Sequence, residues 1–235
     1  MKKINKKVLL IAAVFIFGGI LVLTLFKTDY FFPLKPVVQE GYYIGNLHTH
    51  TLASDGKMTY QELIDTAKSL NFNFIAITDH NTISPEVKSL CPEEKEILCI
   101  IGEEISSKEG HILAIDINDI ILKNLTPEET IEKIHQQGGL AIPAHPERQG
   151  GLTIKRVKEL PFDAVECNLS TKTEKYQYSC ELLPEFPRVY NSDAHKKEDL
   201  KKLANRCLFN KLNINSLKEA VKKRNCFEFL PALKQ

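Results

Sequence analysis

The sequence predicts an α/β fold, a compact barrel of strand–helix units preceded by a single N-terminal transmembrane helix. Three observations predict it. From Gly41 onward, short β-rich runs alternate with amphipathic Glu/Lys-rich stretches. Roughly seven such units fit in the remaining residues, which implies a largely parallel sheet and favours closure into a barrel. Ahead of them, Val8–Phe26 is an apolar run without a charge.

The apolar run (VLLIAAVFIFGGILVLTLF) is long enough, at about 1.5 Å per residue, to span the hydrocarbon core of a bilayer. Lys2, Lys3, Lys6 and Lys7 precede it and only Lys27 follows closely. The positive-inside bias therefore places residues 1–7 in the cytoplasm and the rest outside it, at a cell surface or in a periplasm. A cleaved signal peptide usually has a shorter apolar run and a small-x-small site, and no such site follows Phe26. Residues 8–26 thus read as an anchor in the membrane. Residues 27–40, with Pro33 and Pro36, read as a tether, and residues 41–235 as one domain.

The β-like runs of that domain are Tyr42–Leu47, Phe74–Thr78, Ile97–Ile101, Ile112–Ile117, Leu140–Pro143, Ala164–Cys167, Arg188–Tyr190 and Cys207–Phe209. Helix signals lie between them. Thr59 with Glu62 makes a capping box ahead of YQELIDTAKSL. Thr126-Pro127-Glu128-Glu129 is a second start, with Pro at the first helical position and Gly138-Gly139 as the stop. Ser216–Arg224 forms a last short helix.

Hydrophobic residues make up 43% and charged residues 26%, which reads as globular. The net charge of +1 is uneven. Residues 1–40 carry six Lys against Asp29 and Glu40, so the domain itself is slightly acidic. Such a domain has no broad basic field, and no long nucleic acid is expected as a partner. The six cysteines, Cys91, Cys99, Cys167, Cys180, Cys207 and Cys226, contain no CxxC, which argues against a structural zinc knuckle. Short-range disulfides such as Cys91–Cys99 or Cys207–Cys226 and buried free thiols both remain open.

The chemistry lies at the strand ends. His48 and His50 end the first run; two residues apart on a strand, both imidazoles face one side. Asp55 follows in the Ser54-Asp55-Gly56 turn. Asp79-His80 ends the second run, Glu103-Glu104 the third, and His145 the fifth; Asp193 and His195 follow the seventh. In a parallel barrel these C-terminal ends share one face. His111 precedes its strand, and so needs an antiparallel strand or a long loop to reach that face. His135, near a helix C-terminus, reads as surface structure.

Nine N and O ligands are too many for one ion and suit two or three divalent ions such as Mn, Zn or Fe. Glu104 is placed to bridge two of them. Three carboxylates against up to six positive charges leave a cationic centre, which favours a small anionic substrate.

The stretches LHTHTLASDG (47–56), ITDHNT (77–82), GEEIS (102–106), GHILAI (110–115), AHP (144–146) and NSDAH (191–195) occur in an order that resembles the PHP (polymerase and histidinol phosphatase) family, over nearly all of residues 44–235. The resemblance implies a distorted seven-stranded (β/α)7 barrel with a trinuclear centre and metal-dependent phosphoesterase activity. Its ligands would be His48, His50, Asp55, His80, Glu104, His111, His145, Asp193 and His195. Glu104 is preferred to Glu103 because the family's G-x-E-I-S places the ligand third. Asp79 would orient His80.

The expected mechanism is attack of a metal-bridged hydroxide on a phosphate ester, with His195 or a metal assisting the leaving alkoxide. Arg148 would clamp the phosphate, its guanidinium N–H groups donating to two oxygens at once, with Lys172 and Lys175 as weaker candidates. Two other functions compete: an amidohydrolase-like enzyme, which would want a strand Lys between the ions, and a non-catalytic, membrane-tethered metal-binding module. A panel of phosphoesters and amides separates them. Oligomeric state is not legible.

Overall fold

A computed structural model describes residues 41–168 and 179–231. Among these residues nine strands appear: β1 (Gly41–Asn46), β2 (Phe74–Ile77), β3 (Leu98–Ser106), β4 (His111–Ile115), β5 (Leu140–Pro143), β6 (Val165–Asn168), β7 (Arg188–Asn191), β8 (Ala204–Phe209) and β9 (Cys226–Phe229). Five α-helices accompany them: α1 (Tyr60–Ser69), α2 (Pro85–Leu90), α3 (Pro127–Gln136), α4 (Ile154–Lys158) and α5 (Ile214–Lys222). Both expected capping boxes form, with Thr59 and Glu62 on α1 and Thr126 and Glu129 on α3. The strand over Leu140–Pro143 has the bounds read from sequence.

The closed, largely parallel barrel is corrected to a curled, mixed half-barrel. Seven strands form one sheet in the order β5-β4-β3-β2-β1-β8-β9, and β6 and β7 form a separate parallel pair. Strands β1, β2 and β3 run parallel, but β4, β8 and β9 each pair antiparallel with their neighbours. The reason is local: β3 turns straight back into β4 at residues 107–110, with no room for a crossover helix.

Side chains do part of the closing. The Asn205 amide bonds both the N–H and the carbonyl of Tyr190, tying β8 to β7. Asp163 accepts from the Ala141 N–H and holds β5 to the start of β6.

The transmembrane helix and the single-pass location are also corrected. Among the described residues no helix is long and apolar enough to cross a membrane. The longest, α1 and α3, have ten residues each, about half of a spanning length. The run 8–26 and the tether 27–40 lie outside the described residues, as do Lys172 and Lys175.

The sheet separates two apolar layers by the two-residue period of its strands. Phe74 and Ala76 of β2 point into one cluster with Leu113, Ile115, Leu140 and Ile142. Ile75 and Ile77 point into the other, against Leu63, Ile64 and Ala67 of α1. Each fully buried aliphatic side chain contributes about 1.5–3 kcal/mol. All six cysteines are paired, as Cys91–Cys99, Cys167–Cys180 and Cys207–Cys226. The last of these joins residues directly opposite each other on β8 and β9.

Candidate metal centre

The parallel strands deliver their C-terminal ends to one edge of the half-barrel, and the antiparallel β4 delivers its N-terminal end there. Ser106 is the register partner of His111, so His111 begins β4 where β3 finishes. This is the antiparallel strand that its position before the run demanded. Strand parity also sorts the adjacent glutamates. Glu104 pairs with Leu113 of the inner cluster, and Glu103 with Ala114 of the helix-facing cluster. Glu104 therefore enters the mouth. Glu103 is buried behind the sheet, where its Oε2 accepts from the Ile121 N–H at 2.9 Å.

Glu104 is the hub. Its Oε1 lies 3.0 Å from His111 Nδ1 and 3.0 Å from His145 Nε2. Its Oε2 lies 3.0 Å from His48 Nε2, 3.2 Å from His50 Nε2 and 3.3 Å from His80 Nε2. Asp193 Oδ1 joins the second side, 3.2 Å from His48 Nε2 and 3.3 Å from His50 Nε2. Asp55 stands at the rim, with Oδ2 3.3 Å from His195 Nε2 and 3.8 Å from His80 Nε2. All nine residues picked from the sequence as ligands thus gather at one mouth. His135 stays apart, on Asp163 at 2.8 Å.

Arg148 reaches the same mouth, its Nη1 3.6 Å from Asp193 Oδ2. Its loop is held by a close glycine contact. Gly150, at φ +81°, would bring a Cβ to 2.9 Å from the His111 ring, and its carbonyl accepts from the His111 N–H. His145 and Asp193 themselves adopt left-handed backbone, with φ of 30° and 54°. Such conformations persist where the surrounding structure enforces them.

Asp79 does not bond His80. It holds the loop that carries Asp55: Oδ1 accepts from the Thr51 N–H and the Ser54 hydroxyl, and Oδ2 from the Thr51 hydroxyl, each at 2.7 Å. Sequence reasoning missed Glu166. Fully buried on β6, it lies 2.8 Å from His48 Nδ1 and accepts from the His145 N–H at 2.6 Å. The available signal was a lone charge inside the apolar run Ala164-Val165-Glu166-Cys167.

The electrostatics follow from this crowding. Burial opposes charge on His48, but the Glu166, Glu104 and Asp193 carboxylates overcome it and raise its pKa well above the usual histidine value. Burial opposes charge on His50 too, yet hydrogen bonds to Asp193 and Glu104 push it up to about 9. Burial disfavours ionised Glu104 and Asp193, but the neighbouring histidines together outweigh it, His48 first, then His111 and His145 for Glu104 and His50 for Asp193, and hold both below the usual carboxylate range. For His80 burial dominates and its pKa falls.

Among the described residues three groups could hold an ion: His50, Asp55, His80 and His195; His48, His50, Glu104 and Asp193; and His80, Glu104 and His111. The structure fits such ions. His50 Nδ1 and His145 Nδ1 are buried without a hydrogen-bond partner. The donor set is imidazole and carboxylate, which suits divalent ions of borderline-to-hard character.

Fold and site together define a class, an α/β protein whose strand ends carry a histidine–carboxylate cluster able to bind metal. The PHP domain model matches residues 46–207, and the chain belongs to the PHP domain family.

An uncharacterized protein of Methanocaldococcus jannaschii is 39% identical over 137 residues, which is 52% of this chain and 78% of that protein. The 5'-3' exoribonuclease Rnm of Escherichia coli is 35% identical over 82 residues, 32% of this chain and 28% of the enzyme. Among solved structures, a two-domain Bacteroides vulgatus protein containing a predicted PHP-like metal-dependent phosphoesterase superposes with a TM-score of 0.63 at 18% identity. The match covers 81% of this chain and 65% of that one. A lesion-specific endonuclease of Pyrococcus furiosus superposes with a TM-score of 0.62 at 19% identity, covering 78% of this chain and 56% of that one. This chain therefore spans about two thirds or less of both structures and just over a quarter of the exoribonuclease. At these identities the structures speak to the fold alone.

Proposed function

We propose that the chain is a metal-dependent phosphoric ester hydrolase that binds up to three divalent ions, Mn, Zn or Fe, and cleaves a small anionic phosphoester. The observation that carries this reading is the division of Glu104: one oxygen faces His111 and His145, the other faces His48, His50 and His80. A carboxylate shared in this way suits a bridge between neighbouring ions. His48, His50, Glu104 and Asp193 would hold one ion. Asp55, His80 and His195 would hold a second, and Glu104, His111 and His145 a third.

Bound divalent ions supply the positive charge that lowers the pKa of water and neutralises charge on the phosphoryl group. The chain does the rest. Arg148 holds phosphoryl oxygens through two N–H groups. The leaving alkoxide takes its proton from water at the rim, where His195, partly exposed, would hold an ion with Asp55 and His80. Asp79 keeps the Thr51–Asp55 loop in place through its three short hydrogen bonds. The name of the exoribonuclease relative favours a phosphoester over an amide.

The test is elemental analysis of the purified protein, then a screen of phosphomonoesters, phosphodiesters and amides with the retained metal. The reading expects metal-dependent phosphoester cleavage, lost in chelator and restored by Mn or Zn. Undiminished turnover in excess chelator, or turnover of amides alone, sinks it.

A further inference from the structure

Glu166 is a fully buried carboxylate that touches a ring of the cluster and that the proposed ligand set does not use. Its two oxygens have separate tasks. Oε1 lies 2.8 Å from His48 Nδ1 and accepts from Asn191 Nδ2 at 3.0 Å. Oε2 accepts from the His145 backbone N–H at 2.6 Å. Asn191 is itself fixed, since its Oδ1 accepts from the Leu47 N–H and from Asn205 Nδ2, both at 2.9 Å. Glu166, His48 and Asn191 are fully buried, and among the described residues no Lys or Arg pairs with the carboxylate.

A carboxylate only accepts hydrogen bonds. Facing one, His48 Nδ1 carries a proton, and Nε2, once its own proton is displaced on metal binding, turns a lone pair toward Glu104, Asp193 and His50. The same side chain anchors the backbone of His145, whose ring lies on the other oxygen of Glu104. We propose that Glu166 is a positioning residue that sets the tautomer of His48 and the placement of His145 together, so that two of the ion sites share one buried support. This rests on the metal-binding reading above.

Glu166→Gln makes a sharp test because it keeps the size and removes an acceptor. With the amide NH2 toward His145, two donors face each other across 2.6 Å. With the amide turned round, NH2 faces His48 Nδ1, which becomes an acceptor, and the proton moves to Nε2. Either way one ion site is damaged. We expect Co²⁺ titration followed by its d–d absorption to show an affinity about 10–100-fold weaker than wild type, with an altered spectrum. Glu166→Asp, which keeps the acceptors, should recover part of the loss.

A second measurement needs no variant. The ¹⁵N spectrum of Zn-loaded wild-type protein should show His48 protonated at Nδ1. If His48 is protonated at Nε2, or if Glu166→Gln matches wild type in Co²⁺ affinity and spectrum, the proposal is overturned and the metal reading stands. If wild type takes up no Co²⁺ at all, both fail.

Discussion

His48 Nε2 and His50 Nε2 face each other at 3.0 Å inside a fully buried pocket. Two protonated ring nitrogens so close repel, and a cation that took both lone pairs beside the carboxylates of Glu104 and Asp193 would remove the conflict. Metal uptake must then displace protons, because His48 and His50 both hold theirs above the usual histidine range. Affinity for Zn or Co should rise as pH is raised from 6 to 9, with protons released on binding. Calorimetry in buffers of different ionisation enthalpy measures that release. Without metal the sign reverses: the raised folded pKa of His50 adds stability that is complete below about 6.5 and lost as pH rises through about 9. Metal affinity that is flat across this window argues against imidazole ligation.

Glu104→Gln should disturb more than one ion, whereas His111→Ala should disturb one. The amide carries a single acceptor where the carboxylate has two. We expect Glu104→Gln to weaken metal binding by at least about 100-fold and to abolish turnover, more than the loss of a group that only orients a ligand usually costs. Elemental analysis after dialysis reads the difference. Equal metal content in Glu104→Gln and wild type removes the bridge.

Arg148→Ala should leave metal content unchanged and raise KM for a phosphoester by about 10–100-fold, the cost of a lost charge-assisted hydrogen bond. Steady-state kinetics beside elemental analysis separates substrate binding from metal binding. Unaltered kinetics rules out the clamp.

Burial pushes the Glu103 carboxyl up to about 7, against an ordinary value near 4.5. A raised folded pKa on an acid means that stability is complete below about 4.5 and is lost as pH rises through about 7. The loss approaches about 1.4 kcal/mol per pH unit within that window. Glu103→Gln retains an acceptor for the Ile121 N–H and carries no charge. Denaturant melts should find the variant more stable than wild type at pH 8, with the gain fading toward pH 4. A variant equally destabilised at both values counts against a buried, titrating Glu103.

Cys207 and Cys226 lie 19 residues apart in the chain. Closing a loop of that length stabilises by about 3 kcal/mol. The double variant Cys207→Ser, Cys226→Ser should lose about that much in urea unfolding. A change below about 0.5 kcal/mol would show that the bridge does not constrain the unfolded chain.

Much of this architecture was legible from local pattern. The alternation of β runs and capped helices was readable because capping and period are local properties, as Thr59, Thr126 and Leu140–Pro143 illustrate. Strand direction was not, because a run reads the same whichever way it pairs. Only His111, placed before its strand, carried a hint of the reversal. The strand Cys226–Phe229 escaped notice because it is short and two of its residues face solvent. Asp79 and Glu166 show the other limit: which neighbour a buried carboxylate bonds depends on packing between distant segments. Asp79 serves the Thr51–Ser54 loop rather than His80, and Glu166 serves His48 from 118 residues away.

The three cysteine bridges join positions 8, 13 and 19 residues apart. Each can be made within its own neighbourhood of the chain, before β1 has met β7. A preparation with every thiol oxidised in the right pairs is therefore not, on that account, an assembled catalyst. Thiol titration reports on local stitching, and only a probe that spans the histidines reports on the mouth.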